Sequence, residues 1–264
     1  MKLVFRSSTT VLALAFLAGC APPLEADREG ARERLGAATS ALEGMNALGM
    51  NALGVNALQT LKDPGVTGDL FRELVRYTVG CALLPPQTFS FSWTDGNGTV
   101  HDESYPGALG LVTSWADRPL DATGQHLVSA CLAARTNYYQ VPVTISLRSP
   151  CAALADHTTE AELESYPHVE GAFWGNLFAA TPYLNACYLG SDVARSRAAQ
   201  RDCATGHLEA DGTVVPCGMI ALQGPCGSVC GQLQDDKGYY PSCLDQPQSG
   251  SPARTALAIT VGLP

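Results

Sequence analysis

The sequence predicts an α+β domain with a largely antiparallel sheet, two main helices and a disulfide-stabilised C-terminal part. Three observations lead there. Helix-periodic stretches stand at residues 69–83 and 124–137; short alternating apolar runs follow at irregular intervals; and six of the 10 cysteines crowd into residues 187–243.

Taken in order, residues 69–83 place Leu70, Leu74, Tyr77, Thr78 and Cys81 on one helical face, with Thr67 as N-cap and Pro85-Pro86 as the stop, so Cys81 points inward. Phe89-Ser90-Phe91-Ser92-Trp93 alternates strictly and runs into Asp95-Gly96-Asn97-Gly98, the pattern of a half-buried strand entering a tight hairpin. Asp95, Asn97 and Thr99 mimic the start of a calcium loop, but Val100 holds the position that needs Gly and no Glu closes the loop, so a turn is expected. The second helix clusters Leu127, Val128, Cys131, Leu132 and Arg135. A strand at 141–147 follows, with Pro142 suiting an edge or a strand start, and Leu257, Ile259 and Val261 supply a last strand.

Composition narrows the classes. Charged residues make up 16% of the 264 positions, against about 25% in an average soluble protein. With 26 Gly and 17 Pro the chain is rich in turns, and neither a collagen nor a coiled-coil pattern is present.

The N-terminus carries a short basic start (Met1-Lys2 to Arg6), an apolar run from Val11 to Ala18 and then Leu17-Ala18-Gly19-Cys20. Such a run is too short to cross a bilayer as a mature helix, so an export signal over residues 1–19 is expected. Leu-Ala-Gly-Cys resembles the lipobox of bacterial lipoproteins. That resemblance implies cleavage before Cys20, a diacylglycerol on its sulfur and an acyl chain on its amino group. Several acyl chains anchor stably, at about 0.8 kcal/mol per buried methylene. Ala21, in place of the Asp that retains such proteins at the inner membrane, implies the outer membrane, with the protein facing the periplasm or the cell surface. Loss of Lys2 and Arg6 shifts the formal net charge by two, from -9 to -11, and no basic cluster remains, so no nucleic-acid partner is expected. Lys62 and Lys237 are the only lysines left; the Arg excess fits anion recognition or a GC-rich genome.

Residues 20–61 read as a lipid-anchored stalk. Residues 25–34 form a solvated mixed-charge helix with pairs such as Glu25 to Arg28, and the five-residue units Met45 to Gly49, Met50 to Gly54 and Val55 to Gln59 are too few for a solenoid. Residues 62–264 then form a single globular domain.

Within it, Leu74 to Leu83, Val128 to Leu132 running through Asn137 into 141–147, and Glu170-Gly171-Ala172-Phe173-Trp174-Gly175-Asn176 are similar to an uncharacterised family of secreted bacterial lipoproteins. The resemblance covers about half the chain and implies a domain extent without an activity.

An exported chain of this cysteine density argues for a disulfide framework. The candidates are Cys81, Cys131, Cys187, Cys203, Cys217, Cys226, Cys230 and Cys243; a Cys81–Cys131 pair would leave Cys151 as the free thiol once Cys20 is acylated. Neither Cys81 nor Cys131 sits where a cation or helix N-terminus would activate a thiolate. Gln223 to Cys230 superficially resembles the cysteine-protease stretch, but Val229 intervenes, Gly231 follows and no His lies downstream. A zinc knuckle from His207, Cys217, Cys226 and Cys230 is the less favoured reading in an oxidising compartment.

Residues 156–170 gather His157, Glu160, Glu164 and His168 as weak metal or acid–base candidates. Thr159 to Glu162 is a capping-box pattern and Pro167 ends the segment, which describes a short solvated helix. Phe173-Trp174 and Tyr239-Tyr240 fit a core better than a sugar-binding face. No nucleophile elbow, zinc-protease helix, phosphate loop or dinucleotide fingerprint occurs. The expected function is therefore a lipid-anchored envelope protein acting as a binding or structural module, with a protein or glycan partner and no cofactor. No catalytic residue is assigned; the alternative is an exported hydrolase using residues 156–170.

Overall fold

The computed structural model describes residues 59–245 and 255–264; the export signal, Cys20 and the repeats up to Leu58 lie outside the described residues. The chain is α+β. Helix α1 (Val66–Ala82) leads into a hairpin of β1 (Thr88–Thr94) and β2 (Val100–Pro106), then α2 (Ala122–Arg135), β3 (Ser146–Arg148) and two short helices, α3 (Ala152–Ala155) and α4 (Glu160–Ser165). Strands β4 (His168–Asn176) and β5 (Tyr183–Tyr188) follow, then α5 (Val193–Ala198), β6 (His207–Leu208), β7 (Val214–Val215), β8 (Ile220–Pro225), β9 (Cys243–Leu244), β10 (Thr255–Ala256) and β11 (Ile259–Leu263).

The main sheet has five strands in the order β3-β11-β4-β5-β8; all pairs are antiparallel except β5 with β8. The last strand, β11, is thus inserted between β3 and β4. Strand β4 is buried at every position after His168 because both faces of the sheet are covered. Phe173, Leu184, Ala186, Ile259, Val261 and Leu263 pack towards the helices, while Ala172, Trp174, Cys187 and Ala258 pack against a second layer containing Cys226, Tyr240 and Cys243. Phe173, Trp174, Tyr239 and Tyr240 are accordingly core residues.

Local chemistry explains the elements. Asp121 caps α2 by accepting from the Gly124 N–H at 2.8 Å. In the β1–β2 turn the Asp95 carboxylate accepts from the Asn97 and Thr99 amides, both at 2.9 Å, and Gly98 takes φ 83°. The Thr99 amide is the main reason the Asp95 carboxyl is held below the usual range, with His101 adding to it.

Two sequence expectations change here. The buried face of α1 is Phe71, Val75, Thr78, Val79, Cys81 and Ala82, whereas Leu70 is 69% exposed, and the cap is Gly65 in place of Thr67. The strand expected at 141–147 shrinks to β3, since pairing with β11 begins only at Ser146.

Four disulfides join described residues: Cys81–Cys131 ties α1 to α2, Cys203–Cys217 closes a loop on the helical side, and Cys187–Cys226 and Cys230–Cys243 belong to the second layer. Cys151, expected as the free thiol, is disulfide-bonded; its partner lies outside the described residues.

Candidate ligand cavity and its strap

After α2 the chain crosses the surface as an irregular strap, residues 137–145, before entering β3. Its start is fixed locally: Asn137 donates through Nδ2 to the Val141 carbonyl at 2.8 Å and accepts the Tyr139 N–H through Oδ1 at 2.8 Å, while Gln140 adopts φ 56°. Distant residues fix it further. The Tyr139 hydroxyl donates to Asp202 Oδ2 at 2.8 Å, the same carboxylate oxygen stands 3.0 Å from His207 Nδ1, and the Tyr138 ring stacks on His207 with centroids 4.0 Å apart. The hydrogen bond to Asp202 pushes the Tyr139 phenol upward, burial contributing next. Asp202 itself takes φ 57° and is 2% exposed.

The strap roofs a cavity of about 760 Å³, within the range of small-molecule sites. Much of its lining is apolar, including Leu84, Leu109, Val143, Ile145, Leu147 and Leu154. A neighbouring cavity of about 720 Å³, lined by Leu74, Leu132, Leu177 and Met219, shares Tyr77, Arg135, Asn137, Val141 and Pro142 with the first. Arg135 thus stands where the two meet.

The polar groups around these walls differ in whether their charge is already matched. Arg201 is buried against Glu170 with Nε and Nη2 both 3.0 Å from Oε2, and also donates to the Ala134 carbonyl at 2.8 Å. Glu162 accepts from Ser146 Oγ at 2.6 Å, and Ser146 in turn accepts from Arg148 Nε at 2.8 Å. Glu73 pairs with Arg76 at 3.1 Å. Arg135 has no carboxylate within ion-pair distance among the described residues; its guanidinium lies 4.7 Å from the Tyr77 ring centroid and 3.9 Å from Cys81 Sγ. Burial lowers the pKa of Arg135, the environment penalising its charge without neutralising it. Gly80 makes room, since a Cβ there would stand 3.1 Å from Arg135 Nη1.

The residues singled out at 156–170 are not brought together. Thr159 does cap α4, accepting the Glu162 N–H at 3.2 Å. His157 borders the cavity, Glu160 and Glu164 are exposed, and His168 faces Asp192, with Nδ1 to Oδ1 at 3.2 Å. Among the described residues the single cluster with metal-ligand proximity is Cys187, Cys226 and Cys230, all engaged in disulfides. The zinc-knuckle set is dispersed in the same way, because Cys217 is bonded to Cys203 and His207 to the strap anchor.

Arg135 appeared in the sequence only as one member of a helical face. Its place beside a cavity depends on residues from 77 to 201, a distance no local pattern spans. Comparison adds no assignment beyond the α+β class: no protein-family model, no curated protein and no solved structure matches this chain.

Proposed function

We propose that this protein is a lipid-anchored cell-envelope binding module, and that its cavity takes a small amphipathic anion, an acyl chain bearing a carboxylate being the simplest case. The unneutralised Arg135 between two apolar cavities carries the reading. An apolar tail would be removed from water along Leu109, Ile145 and Leu154, and the head group would supply the counter-charge that the described residues leave out. Guanidinium suits this because its fork donates to both carboxylate oxygens. Anchoring rests on Leu17-Ala18-Gly19-Cys20, and the disulfides support an oxidising compartment.

Calorimetric titration of the mature protein with dodecanoate tests the binding half. A charge-assisted hydrogen bond is worth about 1.5–3 kcal/mol, so Arg135→Met should weaken binding roughly 10- to 150-fold, with Arg135→Lys in between. Equal affinity of wild type and Arg135→Met, or equal affinity for dodecanol and dodecanoate, would refute the role of the charge. Mass spectrometry of the mature N-terminal peptide tests the anchor. With Cys20 acylated the nine cysteines left cannot all pair, so the lipid anchor and the bonded state of Cys151 are alternatives that the same measurement separates. An unmodified Cys20 in a fully oxidised chain would remove the lipid anchor.

A further inference from the structure

The two disulfides of the second layer touch. Cys187 Sγ lies 3.5 Å from Cys230 Sγ, although each belongs to a different bridge, Cys187–Cys226 and Cys230–Cys243. Neither sulfur carries a proton, so this is a contact between two bonded sulfurs and not a hydrogen bond. The sulfurs of Cys187, Cys226 and Cys230 all stand within 4.8 Å of one another. Exposure is uneven: Cys187, Cys226 and Cys243 are at most 1% exposed, while Cys230 is only partly buried.

We propose that these bridges form one thiol–disulfide exchange unit, in which reduction enters at Cys230–Cys243 and is passed to Cys187–Cys226. The proposal is independent of the cavity and of the lipid anchor. A dithiol reductant attacks the accessible bridge, becomes a disulfide itself, and leaves Cys230 and Cys243 as thiols, a transfer of two electrons. The Cys230 thiolate then attacks Cys187 Sγ. The Cys187–Cys230 bond forms, the Cys187–Cys226 bond breaks, and the electron pair departs on Cys226, which takes a proton from water.

Displacement at sulfur needs attacking, central and leaving atoms near one line, and the three sulfurs form a triangle instead. While bonded to Cys243, Cys230 cannot turn into line. Once that bond is cut, rotation about its side chain suffices, so the Cys230–Cys243 bridge gates the exchange. The consequence is mechanical. In the starting state β5 is tied to residue 226, directly after β8, and β9 is tied to residue 230. After exchange β5 is tied four residues further along, and Cys243 is released from the segment that positions the Leu244 carbonyl on Trp174 Nε1 at 2.8 Å.

Cys243→Ser isolates the step without an added reductant, because it leaves Cys230 as a thiol beside the intact neighbour. The variant is acid-quenched, unfolded and labelled with a maleimide, and the bridges are mapped by peptide mass spectrometry. The expected result is at least about a tenth of the label on Cys226 together with a Cys187–Cys230 peptide; a tenfold ratio corresponds to about 1.4 kcal/mol between the pairings. Label confined to Cys230, or a Cys226–Cys230 peptide, overturns the proposal. Should Cys243→Ser fail to fold, wild-type protein treated with a substoichiometric phosphine gives the same readout. Thiols on Cys226 and Cys243 support the exchange, and thiols on Cys230 and Cys243 alone refute it.

Discussion

Removing one partner of the Glu170–Arg201 pair should be among the most destabilising single changes available to this domain. Glu170 is 0% and Arg201 1% exposed, on strand β4 and on the loop after α5. Arg201 donates from Nε to Oε2 at 3.0 Å and from Nη2 to the Ala134 carbonyl at 2.8 Å, while Ser196 Oγ donates to Oε1 at 2.9 Å. In Arg201→Met the carboxylate keeps only a hydroxyl, and in Glu170→Gln a full guanidinium charge keeps only neutral acceptors. Stranding a buried charge costs about 3–5 kcal/mol, a large part of a total stability of about 5–15 kcal/mol. The double variant Glu170→Gln/Arg201→Met strands no charge, so its loss should fall short of the sum of the singles by at least about 2 kcal/mol. Urea unfolding of the oxidised proteins, followed by the fluorescence of the fully buried Trp115 and Trp174, gives each free energy by linear extrapolation. Losses under about 1 kcal/mol for both singles, or additivity within about 0.5 kcal/mol, would refute the reasoning.

Two further outcomes follow from burial. Among the described residues the buried Tyr105 hydroxyl has no partner in hydrogen-bond geometry, although Glu103 and Arg76 stand near enough to act on it, and burial first, then Glu103, pushes its pKa from 10.0 to about 12. Because the unfolded chain gives up this proton first, stability is unaffected below pH 10 and falls as pH rises from 10 to about 12. Tyr105→Phe should lose less across that window in alkaline unfolding curves, and at neutral pH should be neutral or gain up to about 1 kcal/mol; a loss above that would show the hydroxyl has a partner. At Gly171 a Cβ would stand 1.9 Å from the Cys187 carbonyl oxygen in the middle of the sheet, where no side chain can yield. Gly171→Ala should therefore cost about 1–3 kcal/mol or more in urea unfolding, whereas Gly190→Ala, with nothing among the described residues within 4 Å, should stay within about 0.5 kcal/mol of wild type. Equal stability of the two variants would contradict the packing described.

The elements whose signals are local were legible in the sequence. The β1–β2 hairpin follows from strict alternation and a short polar turn, and α2 from its apolar stripe, although its start at Ala122 and its Asp121 cap come from the structure. Two adjacent stripes run along α1, and Leu70, Leu74 and Tyr77 are as apolar as Phe71, Val75 and Val79; which stripe faces inward depends on where α2 and the hairpin lie. The alternation at Val141-Pro142-Val143 reads as a strand because cavity walls and sheet faces use the same side chains. The strap anchor was invisible, since Tyr139 and Asp202 are 63 residues apart. Glu170 was hidden differently. It closes a run of carboxylates at 156–170 yet belongs to a buried strand, and only the partner Arg201, 31 residues on, reveals that its charge is matched.

The low charge and the clustered cysteines share one cause. A strand covered on both faces has no outward positions for Lys or Glu, and β4 is covered from Val169 to Asn176. Helices cover one face and satisfy their own backbone. The other is covered by a layer with little regular structure: β9 and β10 are two residues each, and Cys230 meets Cys243 as an isolated bridge. Such a layer gains few ladder hydrogen bonds to set against the entropy of ordering it. Closing loops of 39 and 13 residues by Cys187–Cys226 and Cys230–Cys243 offsets about 4 and 3 kcal/mol of that cost on the chain-entropy relation. Four of the six cysteines at 187–243 are therefore what an irregular layer over a two-sided sheet requires, Cys203–Cys217 lying on the helical side. That layer also brings two bridges close enough to touch, so the exchange proposed for them arises from the packing that the fold already demands.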